Sequence, residues 1–296
     1  MCVQNGVARL IRLDWAYGLS TDEGPNRRVN EDRCFLRIER NQEGDQDVLA
    51  VIADGMGGYG AGDYASQFAI EQVRLWWDLR YAALIQAPNP RSAFDEEIAV
   101  LFAQINESLC RVRTTQGKLP GTTLSVLIVH RSRFYVYHTG DSRIYQLSSQ
   151  GMLSKHQHLF HLQQLTKDHS WVGQEVAAGR LARTEMNGHP MRHVLTHCLG
   201  INQELEIYRD CGDIRHDDMF LLCTDGFYSI FNDDELVELI QCHTSQYDSL
   251  QDISDQLVAS SCERDAMDNV SVVIMQAREQ AVGRSRRSFW RNFIKN

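Results

Sequence analysis

The sequence predicts one domain of the layered α+β class, and three features support this prediction. Seven apolar segments are rich in β-branched and aromatic residues and are bounded by turn residues, which is typical of strands. Four longer segments between them have the character of helices. Three of the strands follow one another directly between residues 123 and 147, which indicates antiparallel pairing, because a parallel pair needs a crossover of about a dozen residues. Such an order favours an α+β fold over a doubly wound one.

The elements are predicted in the following order. The strands occupy residues 34–38, 47–53, 123–130, 134–139, 143–147, 219–223 and 270–275. The first helix, 63–81, follows a glycine-rich turn, and the second, 93–113, repeats its apolar positions at helical spacing. The third, 233–242, begins behind the capping run Asn232-Asp233-Asp234, and the fourth occupies 249–264.

Residues 148–200 are the least regular part of the chain. They contain His156, His158 and His161, whose spacing does not place all three on one face of a helix or strand. No cysteine or carboxylate joins these histidines. We therefore interpret the histidine-rich stretch as a polar surface loop rather than a metal site.

Charge is distributed unevenly along the 296 residues, which carry 39 acidic and 30 basic side chains and a net charge of −9. Residues 278–296 hold six basic residues and one acidic residue, so this end carries +5 and the rest carries −14. An acidic body argues against a nucleic-acid-binding protein, which needs a basic surface to neutralise phosphates.

We accordingly predict a domain over residues 1–280 and a basic amphipathic tail over 281–296. On a helix, the apolar side chains of the tail would form one stripe. The tail then docks to a partner or a membrane surface in one interpretation, and is a solvated or self-packed terminus in the other.

Targeting signals and cysteines bear on the compartment. The first residues lack the apolar core and cleavage site of a signal peptide, and no apolar run approaches the roughly 20 residues of a membrane-spanning helix. No two of the eight cysteines form a CxxC pair, so a zinc cluster has no support. We expect a cytoplasmic monomer with free thiols.

A glycine-rich run after the second strand matches a dinucleotide fingerprint, because residues 55–60 read G-x-G-x-x-G. This suggests an NAD- or FAD-binding oxidoreductase as an alternative. The context does not fit: a long helix follows where a second parallel strand should come, and Asp54 places a negative charge beside the expected pyrophosphate.

Carboxylates recur beside the predicted strands. Asp54 and Asp225 end strands, Asp141 follows one, Asp268 opens one, and the pair Glu31-Asp32 precedes one. In antiparallel sheets the start of one strand lies beside the end of its neighbour, so these residues could gather along one edge. Like charges that close would repel, and Mg²⁺ or Mn²⁺, which prefer oxygen ligands, would remove the repulsion. An Asp-Gly pair taken alone is ordinary turn chemistry.

Seven short motifs occur in a fixed order between residues 27 and 271. They are R-x-x-N-E-D at 27–32, D-G-M-G-G at 54–58, G-T-T at 121–123, G-D-S-R at 140–143, L-T-x-D-H-S at 165–170, C-T-D-G at 223–226 and D-N-V-S at 268–271. In these motifs the chain resembles the metal-dependent protein phosphatases of type 2C, the PPM family, in their bacterial form. The resemblance implies a four-layer α-β-β-α sandwich, in which two mainly antiparallel sheets are flanked by helix pairs.

The resemblance also implies an activity and a cofactor. The activity is hydrolysis of phosphoserine and phosphothreonine in proteins, reversing Ser/Thr kinase signalling, and it depends on two Mn²⁺ or Mg²⁺ ions with a weaker third. By position in the motifs, the implied metal ligands are Glu31, Asp54, Gly55, Asp141, Asp225 and Asp268, with Asp54 bridging. Asp32 would orient a water, and Arg27 would bind the substrate phosphate, with the adjacent Arg28 as the alternative.

Three further expectations follow from the resemblance. Met56 stands where some relatives have a proton-donating histidine, so the general acid is open; His169 is a candidate, although we favour a loop-anchoring role for it. Residues 160–200 correspond to a variable flap, where Arg180, Arg183 and Arg192 either contact an acidic or phosphorylated partner or, as we favour, are solvated. A catalytically inactive phosphoprotein-binding scaffold is the alternative function, although every expected ligand position holds a suitable residue.

Overall fold

The computed structural model describes residues 12–41, 44–57, 60–112, 119–154, 157–186, 188–201 and 204–279. Two five-stranded antiparallel sheets form the centre of the molecule. The strand order is β1-β12-β11-β8-β9 in the first sheet and β10-β7-β6-β3-β2 in the second, and a short pair, β4-β5, lies apart. The predicted tail at 281–296 lies outside the described residues.

The twelve strands of the described residues are β1 (Leu13–Asp22), β2 (Arg33–Arg40), β3 (Gln46–Ala53), β4 (Gly55–Met56), β5 (Gly121–Thr122), β6 (Leu124–His130), β7 (Arg133–Thr139), β8 (Arg143–Ser154), β9 (Gln157–Gln164), β10 (Tyr208–Asp213), β11 (Met219–Cys223) and β12 (Val270–Glu279).

The α-helices of the same residues are α1 (Ala61–Trp76), α2 (Ala82–Leu84), α3 (Pro90–Arg111), α4 (Trp171–Ala177), α5 (Asp225–Tyr228), α6 (Asp233–Gln246) and α7 (Leu250–Glu263). A π-helical segment, Trp77–Tyr81, joins α1 to α2, and a 3₁₀ turn occupies Arg183–Glu185. None of these helices has both the length and the apolar character that crossing a membrane requires.

The sheets are buried on both faces, which explains why their strands read as continuous apolar runs. In β3, Val48, Ala50 and Ile52 face the other sheet, whereas Leu49 and Val51 face the helices. Successive side chains of a strand point to opposite faces, so a strand in the middle of four layers needs apolar residues at every position. Residues 48–53 of β3 are accordingly all apolar.

One helix pair covers each sheet. Val73 of α1 and Phe102 of α3 pack with β3, β6 and β7 of the second sheet. Ile240 of α6 and Leu257 of α7 pack with β11 and β12 of the first. The structure therefore has the order α-β-β-α, and the predicted four-layer sandwich is confirmed.

The two-residue strands β4 and β5 were not predicted from the sequence, and neither were three strands of the large sheets: β1, β9 and β10. Each lies at an edge of its sheet and pairs with one neighbour, so its outer positions carry polar residues. The surface loop predicted around His158 and His161 is wrong, because both residues belong to β9; His156 lies outside the described residues. Phe160 is buried and His161 is exposed, the alternation of a half-buried strand.

A buried histidine in β7 links the fold to pH. The His138 ring shares a hydrogen bond with the Ser125 hydroxyl at 2.8 Å and contacts the Gly140 carbonyl oxygen at 2.9 Å. Burial lowers its pKa from 6.5 to about 3. Between these values the unfolded chain takes up a proton that the folded chain does not, so this residue's contribution to stability is lost as the pH falls below 6.5.

We expect His138→Gln to flatten the loss of stability on acidification. One histidine of this kind contributes about 1.4 kcal/mol per pH unit, or about 2 kcal/mol between pH 6.5 and 5. The free energy of unfolding in urea at pH 7 and pH 5 measures the difference. His161→Gln, on the exposed face of β9, serves as the control, and equal slopes in both variants would contradict the prediction.

Candidate metal centre

Five aspartates gather where strands of both sheets end. Asp54 follows β3, Asp225 follows β11, Asp141 lies between β7 and β8, and Asp32 and Asp268 precede β2 and β12. Burial raises the pKa of Asp54 well above its usual range, and the charges of the other four raise it further. The gathering inferred from the antiparallel order is therefore present in the structure.

The cluster is desolvated as well as crowded. Asp32 is 1% exposed and Asp141 is 6% exposed. Burial raises the pKa of Asp32 to about 7, with smaller contributions from the charges of Asp225 and Asp268. The pKa of Asp141 is raised well above normal by burial and then by Asp225. Burying several carboxylates close together is costly unless a cation compensates their negative charge.

The donor set fits a divalent cation. Oε1 of Glu31 and Oδ1 of Asp225 are buried and accept no hydrogen bond. Buried acceptors of this kind are normally satisfied, so two at implied ligand positions indicate a cation partner. No three His, Cys, Asp or Glu side chains of the described residues form a ready-made ligand group. The fit thus rests on charge and on oxygen donors rather than on a preformed shell.

The G-T-T motif holds the backbone of Asp54. The Asp54 N–H donates to the Thr123 hydroxyl at 2.8 Å, and the Thr123 N–H donates to the Asp54 carbonyl at 2.9 Å. The Thr122 hydroxyl also donates to this carbonyl, and the Thr123 hydroxyl shares a hydrogen bond with Ser142. Because these bonds fix the residue's backbone, the Asp54 side chain leaves the strand end in one direction.

Close backbone packing places Gly55 beside Glu31. The Gly55 N–H donates to the Glu31 carbonyl at 3.2 Å, and the Ser66 hydroxyl donates to the same carbonyl at 2.6 Å. A Cβ atom on Gly55 would lie 2.2 Å from the Gly62 carbonyl oxygen. Only glycine fits there, so the implied backbone ligand sits where a side chain is sterically excluded.

Asn269 ties the loop that carries Glu31 to the start of β12. The Glu31 N–H donates to Asn269 Oδ1 at 2.9 Å, and the Asn269 amide donates to the carbonyls of Glu23 and Val29 at 2.8 and 3.0 Å. No role for this residue was predicted from the sequence. Its position in D-N-V-S, directly after an implied ligand, was the available signal.

Asp32 is held by hydrogen bonds rather than by a charge partner. The Thr224 hydroxyl donates to Asp32 Oδ2 at 2.8 Å and accepts from the Ser271 N–H at 3.1 Å. Burial raises the pKa of Asp32 more than the side-chain hydrogen bonds of Ser271 and Thr224 to its carboxylate lower it. The structure thus places Asp32 beside the other carboxylates, with its orientation set by β11 and β12.

Arg27 lies at the edge of the cluster and is half-exposed. Its Nη2 donates to Asp268 Oδ2 at 2.6 Å, and its Nε donates to the Met267 carbonyl at 3.4 Å. The arginine implied as the phosphate contact is therefore within reach of the centre and paired with an implied ligand. Arg28 is exposed as well.

A buried arginine that the sequence analysis did not assign connects the cluster to the flap. Arg143 is 6% exposed and binds Asp168 through Nε and Nη2, with distances of 3.0 and 2.6 Å to the two carboxylate oxygens. It also lies 3.7 Å above the Tyr228 ring. The motifs G-D-S-R and L-T-x-D-H-S supply the two halves of this pair, and their matched opposite charges were the signal.

His169 makes the contacts of an anchor. Its ring Nδ1 accepts from the Gly140 N–H at 3.3 Å, its own N–H donates to the Gly140 carbonyl at 2.7 Å, and its carbonyl accepts from the Thr196 N–H. Burial lowers its pKa, so the ring is neutral at pH 7. These contacts favour the loop-anchoring role.

The flap begins after β9, so residues 160–164 of the range expected for it belong to the sheet. Two of its three arginines are paired within the chain. Arg180 binds Glu175 in a bidentate manner at 2.7 and 2.6 Å, and Arg183 contacts Asp233 at 3.1 Å. Arg192 lines a small cavity together with His193 and Asp225.

The dinucleotide alternative is wrong for this fold. Among the residues that the structure describes, β3, which precedes the glycine run, pairs with β2 and β6, and both are antiparallel to it. A dinucleotide fold needs a parallel strand after the helix, and α1 is followed instead by α2 and α3.

Comparison with known proteins identifies the family. The model of the protein phosphatase 2C family matches residues 25–260. The chain belongs to this family. The serine/threonine phosphatase stp of Listeria welshimeri is 26% identical over 266 residues, covering 89% of this chain and 96% of that protein. The predicted class, a protein-serine/threonine phosphatase, is confirmed.

Solved structures agree with this assignment. Stp1 of Staphylococcus aureus, a serine/threonine phosphatase, is 25% identical, covers 91% of this chain and 97% of its own, and superposes with a TM-score of 0.74. The catalytic domain of the serine/threonine protein phosphatase PstP, in complex with two manganese ions, is 26% identical, covers 90% of this chain and 100% of its own, and has a TM-score of 0.68.

We expect Thr123→Val to lower the free energy of unfolding by about 1–3 kcal/mol, because the buried Asp54 N–H loses its acceptor. Urea denaturation measures this, and Thr123→Ser should retain most of the stability. Thr244→Val, whose hydroxyl donates to the Gln241 carbonyl on α6, is the matched control. A loss no greater than that of the control would count against the role of Thr123.

Proposed function

We propose that the chain hydrolyses phosphoserine and phosphothreonine esters in proteins with two divalent cations, Mn²⁺ or Mg²⁺, and thereby reverses Ser/Thr kinase signalling. Membership of the protein phosphatase 2C family supports protein dephosphorylation, and the manganese-bound relative supports a divalent metal. The observation that carries the proposal is the cluster of buried carboxylates, in which Glu31 and Asp225 each present an oxygen without a hydrogen bond.

The ligands would be the side chains of Glu31, Asp54, Asp225 and Asp268 and the carbonyl of Gly55. Asp54 would be a ligand to both ions, the role that its place in the D-G-M-G-G motif implies. Asp141 would hold a weaker third ion with Asp225, whose charge acts on its pKa. When bound, the cations neutralise the site and make water a nucleophile at neutral pH.

Arg27 would bind the phosphate of the substrate. Its guanidinium is half-exposed beside Asp268, and its planar fork matches two phosphate oxygens. Asp32, oriented by Thr224, would position a water by accepting a hydrogen bond from it. Met56 has no proton to give to the leaving group, and the His169 ring is turned to Gly140, so the leaving alkoxide would take its proton from solvent.

The substrate partners would be Ser/Thr-phosphorylated proteins and, through them, a cognate kinase pathway. The acidic body gives no support to a nucleic-acid partner. The enzyme would act as a monomer.

Phosphate release from p-nitrophenyl phosphate and from a phosphothreonine peptide tests this function. We expect turnover with Mn²⁺, none with EDTA, and a loss of more than about 100-fold in Asp54→Asn and Asp225→Asn, because each removes an anionic ligand. Asp213→Asn is the control, because Asp213 is exposed at the end of β10 that lies away from the carboxylate cluster. Peptide binding without turnover under any metal would overturn the proposal in favour of a phosphoprotein-binding scaffold.

We also expect Mn²⁺ to raise the melting temperature more at pH 8 than at pH 5. The raised pKa of Asp32, about 7 against 3.8, means that the folded chain holds a proton that the unfolded chain has released, so stability falls as the pH rises between these values. A bound cation compensates the charge of ionised carboxylates, so its stabilising effect is largest at the pH where more of them are ionised. Thermal denaturation with Mn²⁺ or EDTA measures this, and Asp54→Asn should shrink the difference. An equal shift at both pH values would contradict the prediction.

A further inference from the structure

A groove continues from the carboxylate cluster beneath the flap. Two adjoining cavities share Arg143, Met186 and Tyr228 in their walls. The inner cavity is narrow, about 30 Å³, and reaches Asp225. The outer cavity is about 530 Å³ and lies between the 3₁₀ turn Arg183–Glu185 and the first turn of α6. We refer to the outer cavity as the flap groove.

The flap side of the groove is held in place by side chains. Arg183 contacts Asp233 at 3.1 Å and donates to Gln164 Oε1 of β9 at 2.8 Å. The Gln164 amide in turn donates to Asp168 at 2.8 Å. These contacts join the flap to α6 on one side and to the first sheet on the other.

The inner end of the groove is fixed by the same network. Asp168 binds Arg143 in a bidentate manner, and Arg143 lies over the ring of Tyr228 at 3.7 Å. Tyr228 is one helical turn beyond Asp225 in α5, so the groove begins within about 5 Å along that helix of an implied metal ligand. A site whose walls are held in this way loses little entropy on binding.

The walls of the groove combine an apolar floor with an acidic rim. Met186, Tyr228 and Phe231 are each more than nine-tenths buried and line the floor. Both arginines of the lining are paired with carboxylates, Arg143 with Asp168 and Arg183 with Asp233. The exposed carboxylate of Asp234 on the same rim therefore leaves a surplus negative charge.

We propose that the flap groove binds the polypeptide segment beside the phosphoresidue, and that Asp234 selects substrates with a basic side chain in that segment. The inference rests on the proposed function, because the groove gains this role only if the carboxylate cluster holds the scissile phosphate. The volume of the flap groove falls within the range of about 300–1,000 Å³ typical of ligand sites. An extended chain advances about 3.3 Å per residue, so the residues that flank the phosphoresidue extend away from the metal centre along its surroundings.

Paired phosphothreonine peptides test the groove. One peptide carries arginine at the second to fourth positions on either side of the phosphothreonine, and the other carries glutamate at the same positions. We expect a higher kcat/KM for the arginine peptide, mainly through a lower KM. In Asp234→Asn this preference should fall about twofold to fivefold, as for loss of an exposed ion pair. Asp234→Lys should lower it further, and Asp234→Glu should retain it.

Two comparisons separate this inference from the proposed function. Turnover of p-nitrophenyl phosphate, which has no flanking chain, should be unchanged in all three Asp234 variants. Asp248→Lys should keep the peptide preference, because it reverses an exposed charge just beyond the other end of α6. An unchanged peptide preference in Asp234→Lys with normal p-nitrophenyl phosphate turnover would overturn the groove alone. Absence of metal-dependent turnover in the unsubstituted chain would overturn the proposed function and the groove with it.

Discussion

Repulsion among buried carboxylates is the constraint on which the rest of this structure depends. Asp32, Asp54 and Asp141 lie in a desolvated region where burial and the charges of neighbouring aspartates raise their pKa values. An isolated helix or strand could not hold such groups together, because the chain would separate them into water. The two sheets supply the required rigidity, since both are buried on two faces and end at the same place.

Each motif of the centre supplies a charged residue or the residue that holds one. Thr123 fixes the backbone of Asp54, Thr224 orients Asp32, and Asn269 secures the loop that carries Glu31. The holders are neutral hydrogen-bonding side chains, which position an acid without cancelling its charge. A cluster built in this way stays available for cations, whereas arginine partners throughout would satisfy it internally.

The flap is attached to the same framework by ion pairs. Arg143 and Asp168 are both buried and are joined by three hydrogen bonds. Removing either partner would leave an uncompensated buried charge. The exposed contact between Arg183 and Asp233 is weaker and more easily broken. The inner edge of the flap is thus fixed beside the centre, while its outer edge borders a groove that reaches solvent.

Sequence alone determined the apolar central strands, because a strand buried on two faces needs apolar residues at successive positions. It also determined the antiparallel order and the acidic residues of the cluster, because Asp54 and Asp225 stand directly after apolar runs. The edge strand β1 was missed because it pairs with β12, more than 240 residues away, and four of its ten positions are polar. Only the tertiary structure decided that Asn269 supports Glu31, that Arg143 meets Asp168, and that Arg183 faces Asp233. These contacts join segments distant in sequence, and pairing between distant charges depends on how the chain folds rather than on composition or spacing.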